Sequence, residues 1–393
     1  MILNERLKKF QEPAWILLIV FAGLFFRRPD AFTNPQLWAE DGTVFLQQYL
    51  QKGAASLFTP YAGYIHLIPR LIAFIFGSIH VSLYSIPLLY NLSAFIITYS
   101  VALHLWRCAL KLQNSNPVFF ATVFLFLPIG AEMFMNITNI IWITALCLIA
   151  YLLTGHGKSS NTLFKSILLI LCALTGPFSL LLTPLILLII LKERKTISQI
   201  RLINLLLIAA CGLIQLGFIK SSGKISRGIP GVPEKMHLLK LGINNISEQL
   251  FLPSGHYILP IVAALAFFVL LFFAYRKITL PAKYVLLLSP ILFLGAFIVA
   301  FWPNEAHVTA FVCSRYYFVP FTCLSWVFIL SIHKAIPPRY LAAFFAFYVL
   351  HLNQERSTLP DKNWANEVNE YKLGKKNSLN INPEGWKVEM RAQ

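Results

Sequence analysis

Of 393 residues, 57% are hydrophobic and 12% charged, a balance that excludes an ordinary soluble globular domain. The formal net charge of +17 raises the question of nucleic acid, but the basic residues are spread over short clusters between apolar blocks and form no contiguous surface for a phosphate backbone; nucleic acid is not an expected partner. Blocks of roughly 15 to 25 apolar residues match the ~30 Å of hydrocarbon a helix must cross, and period-two alternation is absent, so an all-α polytopic bundle is expected and a barrel is not.

In chain order the predicted spans are 13–28, 81–106, 117–134, 138–154, 163–175, 178–191, 200–219, 257–275, 283–301, 311–332 and 338–352, about ten or eleven transmembrane helices in a domain of residues 1–352. The fifth and sixth can also form one unit broken at Thr175-Gly176-Pro177. Within a first outward loop, 29–80, the short apolar stretch 64–79 carries His66 and Arg70 and reads as an interfacial or re-entrant helix. A longer outward loop, 220–256, sets Lys220, Lys224, Arg227, Lys235 and Lys240 against Glu234 and Glu248; it is either a solvated loop or a contact for an anionic ligand. Beyond about residue 352, Asn, Lys and Glu replace the aliphatics, and 353–393 reads as a hydrophilic tail on the outward side, able to cap an outward cleft or meet an acceptor.

Basic residues concentrate in loops retained on the cytoplasmic side. With a cytoplasmic amino terminus, the inward ends hold Arg6, Lys8 and Lys9, then Arg107 and Lys111, Lys158 and Lys165, Lys192, Arg194, Lys195 and Arg201, Arg276, Lys277 and Lys283, and Lys334 and Arg339. Counting 64–79 as a full span would turn the later clusters outward. The expected location is therefore the plasma (inner) membrane, multi-pass, with the lipid bilayer as first partner. Arg27-Arg28-Pro29 follows the first span where a secretory signal would carry small residues, so that span reads as a retained anchor. The six cysteines lack C-x-x-C spacing and no pair shares an outward loop, so neither a disulfide nor a cysteine metal site is expected.

Candidate chemistry lies in polar residues on the outward side. Trp38-Ala39-Glu40-Asp41-Gly42 places two adjacent carboxylates at the start of a short helix. They serve either as acids at the positive end of the helix dipole or as a general base with a supporting acid, because neighbouring like charges raise one pKa towards neutrality. Residues adjacent on a helix differ by about 100°, so at most one faces a cleft squarely, and Asp41 is the expected base. His66 and Arg70, at i and i+4, share a helix face suited to a phosphate leaving group, or anchor the helix at the interface. Arg315, beside Tyr316 just inside a late span, is expected either to bind a lipid-linked phosphate or to pair with Glu305 or Glu132. Glu305 and His307 share a short outward loop with Trp302, while Asn136 and Asn139 stand with Glu132 at another turn as possible sugar-hydroxyl contacts. Trp38, Tyr61, Tyr64 and Trp302 lie at the same level, as an interfacial belt or as aromatic walls for a sugar. No metal-ligand set is assigned; a divalent cation at the acid pair is left open, and no organic cofactor is expected because Gly-rich nucleotide motifs are missing.

An acidic pair after the first span, a short helix running to Lys52-Gly53, and Leu57-Phe58-Thr59-Pro60-Tyr61 leading into Pro69-Arg70-Leu71 together resemble the GT-C class of polytopic glycosyltransferases. That class includes protein O-mannosyltransferases and aminoarabinose lipid A transferases. The motif likeness covers roughly residues 10–80, with topology alone beyond. One departure is that the acids stand about a dozen residues past the end of the first span. The chain is also similar to bacterial membrane proteins with an A-E-D-G loop, a T-G-P-F segment and a late R-Y-x-x-x-P, a likeness that carries no activity. The GT-C resemblance implies transfer of a sugar from a polyprenyl-phosphate-linked donor to an outward glycan, lipid or protein acceptor, with the acid of the first outward loop, here Glu40-Asp41, at the centre. A transporter or flippase for a lipid-linked or anionic solute is the alternative; it requires charged residues on facing helices near mid-bilayer, and few occur within the spans.

Overall fold

A computed structural model describes residues 2–112, 115–127, 129–155, 162–222, 278–301, 314–332 and 357–390, with a few positions between 269 and 276. These residues are mostly helical. In chain order they form α1 (Ile2–Arg27), α2 (Asp30–Thr33), a π-helical turn (Asp41–Leu46), α3 (Gln47–Lys52), a 3-10 segment (Gly53–Phe58), α4 (Leu67–Ser78), α5 (Ile86–Ala109), α6 (Pro117–Thr122), α7 (Ile140–Thr154), α8 (Thr162–Ala173), α9 (Phe178–Glu193) and α10 (Gln199–Ser221). Then come α11 (Leu280–Phe301), α12 (Phe318–Ile332), α13 (Trp364–Lys372) and an antiparallel hairpin of β1 (Ser378–Ile381) and β2 (Trp386–Glu389). This agrees with the all-α expectation, with one short hairpin added. The spans expected at 257–275 and 338–352, the loop 220–256 past Ser222, and Trp302, Glu305 and His307 lie outside the described residues.

Among the described residues, two helices are long and apolar enough to cross a membrane, Leu83–Ala109 and Gln199–Ser221; shorter apolar helices include Pro13–Arg27, Ile140–Thr154 and Ala282–Gly295. Every residue of α7 from Ile140 to Leu153 is buried, which makes it the central post against which α5, α8, α9, α11 and α12 pack. On α5 the buried residues Tyr90, Ala94, Val101 and Leu105 recur at helical spacing, while Leu88, Leu92 and Ile96 on the other face are exposed. Local signals set the starts: Pro87 sits in the first turn of α5, and the Asn116 and Ser198 side chains accept from Phe119 N (3.1 Å) and Arg201 N (3.3 Å) at the heads of α6 and α10.

The span expected at 117–134 is not one helix. After α6 the chain tightens to a 3-10 turn at Val123–Phe126 and extends at Leu127 (ψ 149°), because the residue before a proline is driven out of the helical region. Arg27, fully buried at the end of α1, takes up the freed carbonyls: Nε donates to Leu125 O (2.8 Å), Nη1 to Ile129 O (2.5 Å) and Nη2 to Leu127 O. Arg28 forks onto Asp30 (2.9 and 3.1 Å) and also reaches Phe134 O.

The stretch expected at 64–79 becomes α4, twelve residues long, entered through a segment pinned to the break between α8 and α9. Gly176 N donates to Ile65 O and Leu67 N to Leu174 O, and Thr175 Oγ1 accepts from Ile68 N. Gln215 of α10 completes the joint, its Oε1 accepting from Ile65 N and its Nε2 donating to Ile65 O and Gly176 O. Thr175-Gly176-Pro177 thus separates two helices and serves as a socket. At the opposite end of the bundle, Arg201 pairs with Glu193 (2.9 Å) and donates to Leu152 O, and Lys111 approaches Gly155 O.

The tail closes over the first loop. Ser357 N and Leu359 N donate to Arg27 O and Asp30 Oδ2, Trp364 Nε1 donates to Leu83 O, and Asn382 pairs with the backbone around Trp38. Leu37, Val44, Phe45, Trp364, Val368 and Val388 share one apolar cluster.

Candidate functional site

The chain re-enters helix at Ala39, held at φ +31°, so Glu40 and Asp41 leave the same turn in different directions. Asp41 points inward and is completely buried. Its Oδ1 accepts from Thr138 N (2.9 Å) and Thr138 Oγ1 (2.5 Å), and Oδ2 lies 3.4 Å from Ile137 N. Burial pushes its pKa up to about 7 against the opposing pull of the Thr138 donors. The carboxylate expected as the base is thereby fastened to another loop, with its oxygens already engaged.

Glu40 is the partly exposed acid of the pair. Its Oε1 accepts from Tyr61 Oη (3.1 Å), and its charge reaches Asp41, Tyr61, Tyr64, Glu132 and Arg315. Glu132 sits on the loop that Asp41 grips. Asn136 Nδ2 and Asn139 Nδ2 both donate to the Glu132 carbonyl (2.6 and 2.9 Å), and Asn139 N donates to Asn136 Oδ1. The two asparagines, expected as sugar contacts, are buried and build this loop.

Arg315 stands at the head of α12 with Nη1 3.7 Å from Glu132 Oε1 and its guanidinium 5.6 Å from the Tyr316 ring centroid. Both partners of this pair keep about a third or a quarter of their side-chain surface open, 31% and 26%. Glu132 Oε1 itself is buried and takes no hydrogen bond among the described residues, so the guanidinium is near but not closed on it. Two carboxylates and one guanidinium therefore meet in one cluster, as expected for an Arg315–Glu132 ion pair and with Glu40 added.

Aromatic rings wall this cluster. Tyr64 stacks on His66 (4.6 Å between centroids), Tyr61 tilts against the same imidazole, and Tyr316 meets Trp142 edge-on at 5.0 Å. Burial first, with the nearby Glu40 charge, raises the Tyr61 phenol, and burial does the same at Tyr64; both stay protonated donors. His66 is buried, and that burial together with Arg70 lowers it to about 3, leaving a neutral ring whose Nδ1 is 3.3 Å from Tyr64 O. Arg70 is also buried and turned into its own loop, donating from Nη1 to Ser56 O (2.7 Å) and from Nη2 to Gln48 Oε1 (2.9 Å). The phosphate grip expected of His66 and Arg70 is not the arrangement found, because one is uncharged and the other is committed to the loop. Trp38 pairs with Asn382 of the tail.

No protein-family model, curated protein or solved structure matches this chain. The site must be read from its own geometry. Among the described residues, no three His, Cys, Asp or Glu side chains are grouped to hold a metal ion. Sequence reasoning missed Thr138 and Asn382. Thr138 was signalled weakly by its place between Asn136 and Asn139 in a polar turn; Asn382 had no local signal.

Proposed function

We propose that the chain is a multi-pass protein of the plasma (inner) membrane and a GT-C-like glycosyltransferase that moves a sugar from a polyprenyl-phosphate-linked donor to an outward acceptor. Large apolar side chains exposed on the bundle exterior support the membrane reading: Phe21 on α1, Ile96 on α5, Leu163 on α8, Leu187 on α9, Leu213 on α10 and Ile291 on α11. Helix directions agree with it, since Lys111, Arg201 and Glu193 gather at one end of the bundle and Glu40, Glu132 and Arg315 at the other.

The observation that carries the enzymatic reading is that a partly open carboxylate, Glu40, shares its field with the Arg315 guanidinium, which is held by Tyr316 and lies 3.7 Å from Glu132, beside aromatic rings. Glu40 takes the proton of an acceptor hydroxyl, whose oxygen attacks the anomeric carbon. The bond from that carbon to the phosphate oxygen breaks, and the phosphate leaves with the electron pair beside Arg315. Tyr61 orients Glu40 by its hydrogen bond, and Asp41 fixes the turn from which Glu40 projects. In this reading Glu40, and not Asp41, is the base.

The test is sugar transfer from a panel of polyprenyl-phosphate-linked donors in membranes carrying the wild type, Glu40→Gln, Asp41→Asn and Arg315→Ala. Transfer by the wild type that is lost in Glu40→Gln and Arg315→Ala, at normal protein level, is the expected result. A wild type that consumes no donor in the panel sinks the reading and makes flux of an anionic solute the next assay.

A further inference from the structure

The carboxyl-terminal hairpin lies directly on the turn that bears the acid pair. Ala39 N donates to Asn382 O (2.5 Å) and Asn382 N to Leu37 O (3.2 Å), so the residue before Glu40 is fixed by a backbone clasp from the far end of the chain. The clasp holds Ala39 at a positive φ that a residue with a Cβ rarely adopts unaided. On the other side of the pair, a Cβ added to Gly42 would stand 2.6 Å from Ile381 Cδ1 and 2.7 Å from Val388 Cγ2; the hairpin roofs this position so closely that a larger residue must displace these side-chain ends. A third contact, Glu389 N to Gln47 Oε1 (3.0 Å), ties β2 to the end of the π-helical turn.

The hairpin has its own footing. Asn382 Nδ2 donates to Pro360 O, Glu367 of α13 accepts from Asn380 N, and Lys376 bridges Glu367 and Glu370. Leu379 and Val388 are buried with Val368 and Trp364 in the apolar cluster beneath. Glu40 itself has one side-chain hydrogen bond among the described residues, from Tyr61, so the backbone on either side determines where its carboxylate stands.

We propose that the β1–β2 hairpin is a positioning element of the site: by clasping Ala39 and roofing Gly42 it sets the place of the Glu40 carboxylate against Tyr61 and Arg315. This rests on Glu40 being the working acid, yet its test needs no transfer assay. Helix propensity alone favours alanine over glycine at a helical position, so harm from Gly42→Ala reports the hairpin above it.

The experiment uses the full chain in lipid nanodiscs, with carbodiimide-driven coupling of glycine ethyl ester to Glu40 followed by peptide mass spectrometry. Glu193, at the opposite end of the bundle, is the internal control. Gly42→Ala and Gly42→Val are each expected to raise the Glu40 labelling rate at least threefold with Glu193 unchanged. Combining either with Ile381→Ala and Val388→Ala, which remove the two opposed side-chain ends, is expected to restore the wild-type rate. An unchanged Glu40 rate in both glycine variants overturns the proposal, as does a parallel rise at Glu193 or failure of the compensating changes to restore Glu40. A wild type inert in sugar transfer overturns the enzymatic reading alone and leaves the labelling outcome to decide the hairpin's role.

Discussion

Asp41 grips Thr138 with a single oxygen, which accepts both the backbone N–H at 2.9 Å and the hydroxyl at 2.5 Å, and so ties the first loop to the loop carrying Glu132. The two loops are nearly a hundred residues apart in sequence, and they meet where the fully buried Asp41 reaches the half-buried Thr138. Asp41→Ala leaves the Thr138 amide and hydroxyl without their acceptor at a part-buried joint, which costs about 1–3 kcal/mol. A fall of that size in unfolding free energy, measured in detergent or nanodiscs, is expected. Thr138→Val removes only the hydroxyl, and its loss is smaller.

The same carboxyl gives stability a pH dependence. Burial raises it from 3.8 to about 7, so between these values the folded chain holds a proton that the unfolded chain has released. Its contribution is therefore complete below about pH 4 and is lost as pH rises through 7. Subtracting the unfolding curve of Asp41→Asn from that of the wild type isolates this group. The wild type is expected to lose stability relative to the variant from pH 4 to 7, and a flat difference would falsify the assignment.

Glu132 and Arg315 form a loose, partly open pair, worth about 0–1 kcal/mol. Glu132→Gln removes one of the two carboxylate charges that compete for the guanidinium, and binding of inorganic diphosphate, followed by calorimetry, is expected to strengthen by up to about fivefold. Arg315→Ala is expected to abolish it. Weaker binding in Glu132→Gln would show that the carboxylate supports the anion instead of competing with it.

Gln215 makes three hydrogen bonds that hold the entry of α4 against the α8–α9 break. Gln215→Leu keeps the volume but strands the Ile65 and Gly176 backbone groups, a cost of about 2–4 kcal/mol. Hydrogen exchange is expected to rise at residues 64–68 and 174–177 before it rises elsewhere; uniform exchange across the chain would argue against a local joint.

How much of this could be read from sequence differs from element to element. The long apolar runs of α5 and α10 and the break at Thr175-Gly176-Pro177 were legible because length and Gly-Pro punctuation act locally. The stretch 117–134 misled because its hydropathy is continuous, while its backbone obeys the proline after Leu127 and the guanidinium of Arg27, ninety-eight residues from Leu125. The acid pair was visible as chemistry. Which acid is buried and which stays partly exposed was not, since Thr138 and Asn382 decide it from far along the chain. The i, i+4 spacing put His66 and Arg70 on one helix face, but His66 precedes α4 with a non-helical backbone, and periodicity says nothing of Ser56 and Gln48, which capture the arginine.

The clasp between Ala39 and Asn382 also has a consequence in time. A ribosome adding about 5–20 residues per second needs about 20–70 s to travel from one to the other. Throughout that interval Glu40 and its turn are already synthesised but lack the strand that will hold them. A nascent chain that has not yet reached Asn382 therefore carries both acids without the backbone clasp that fixes their turn.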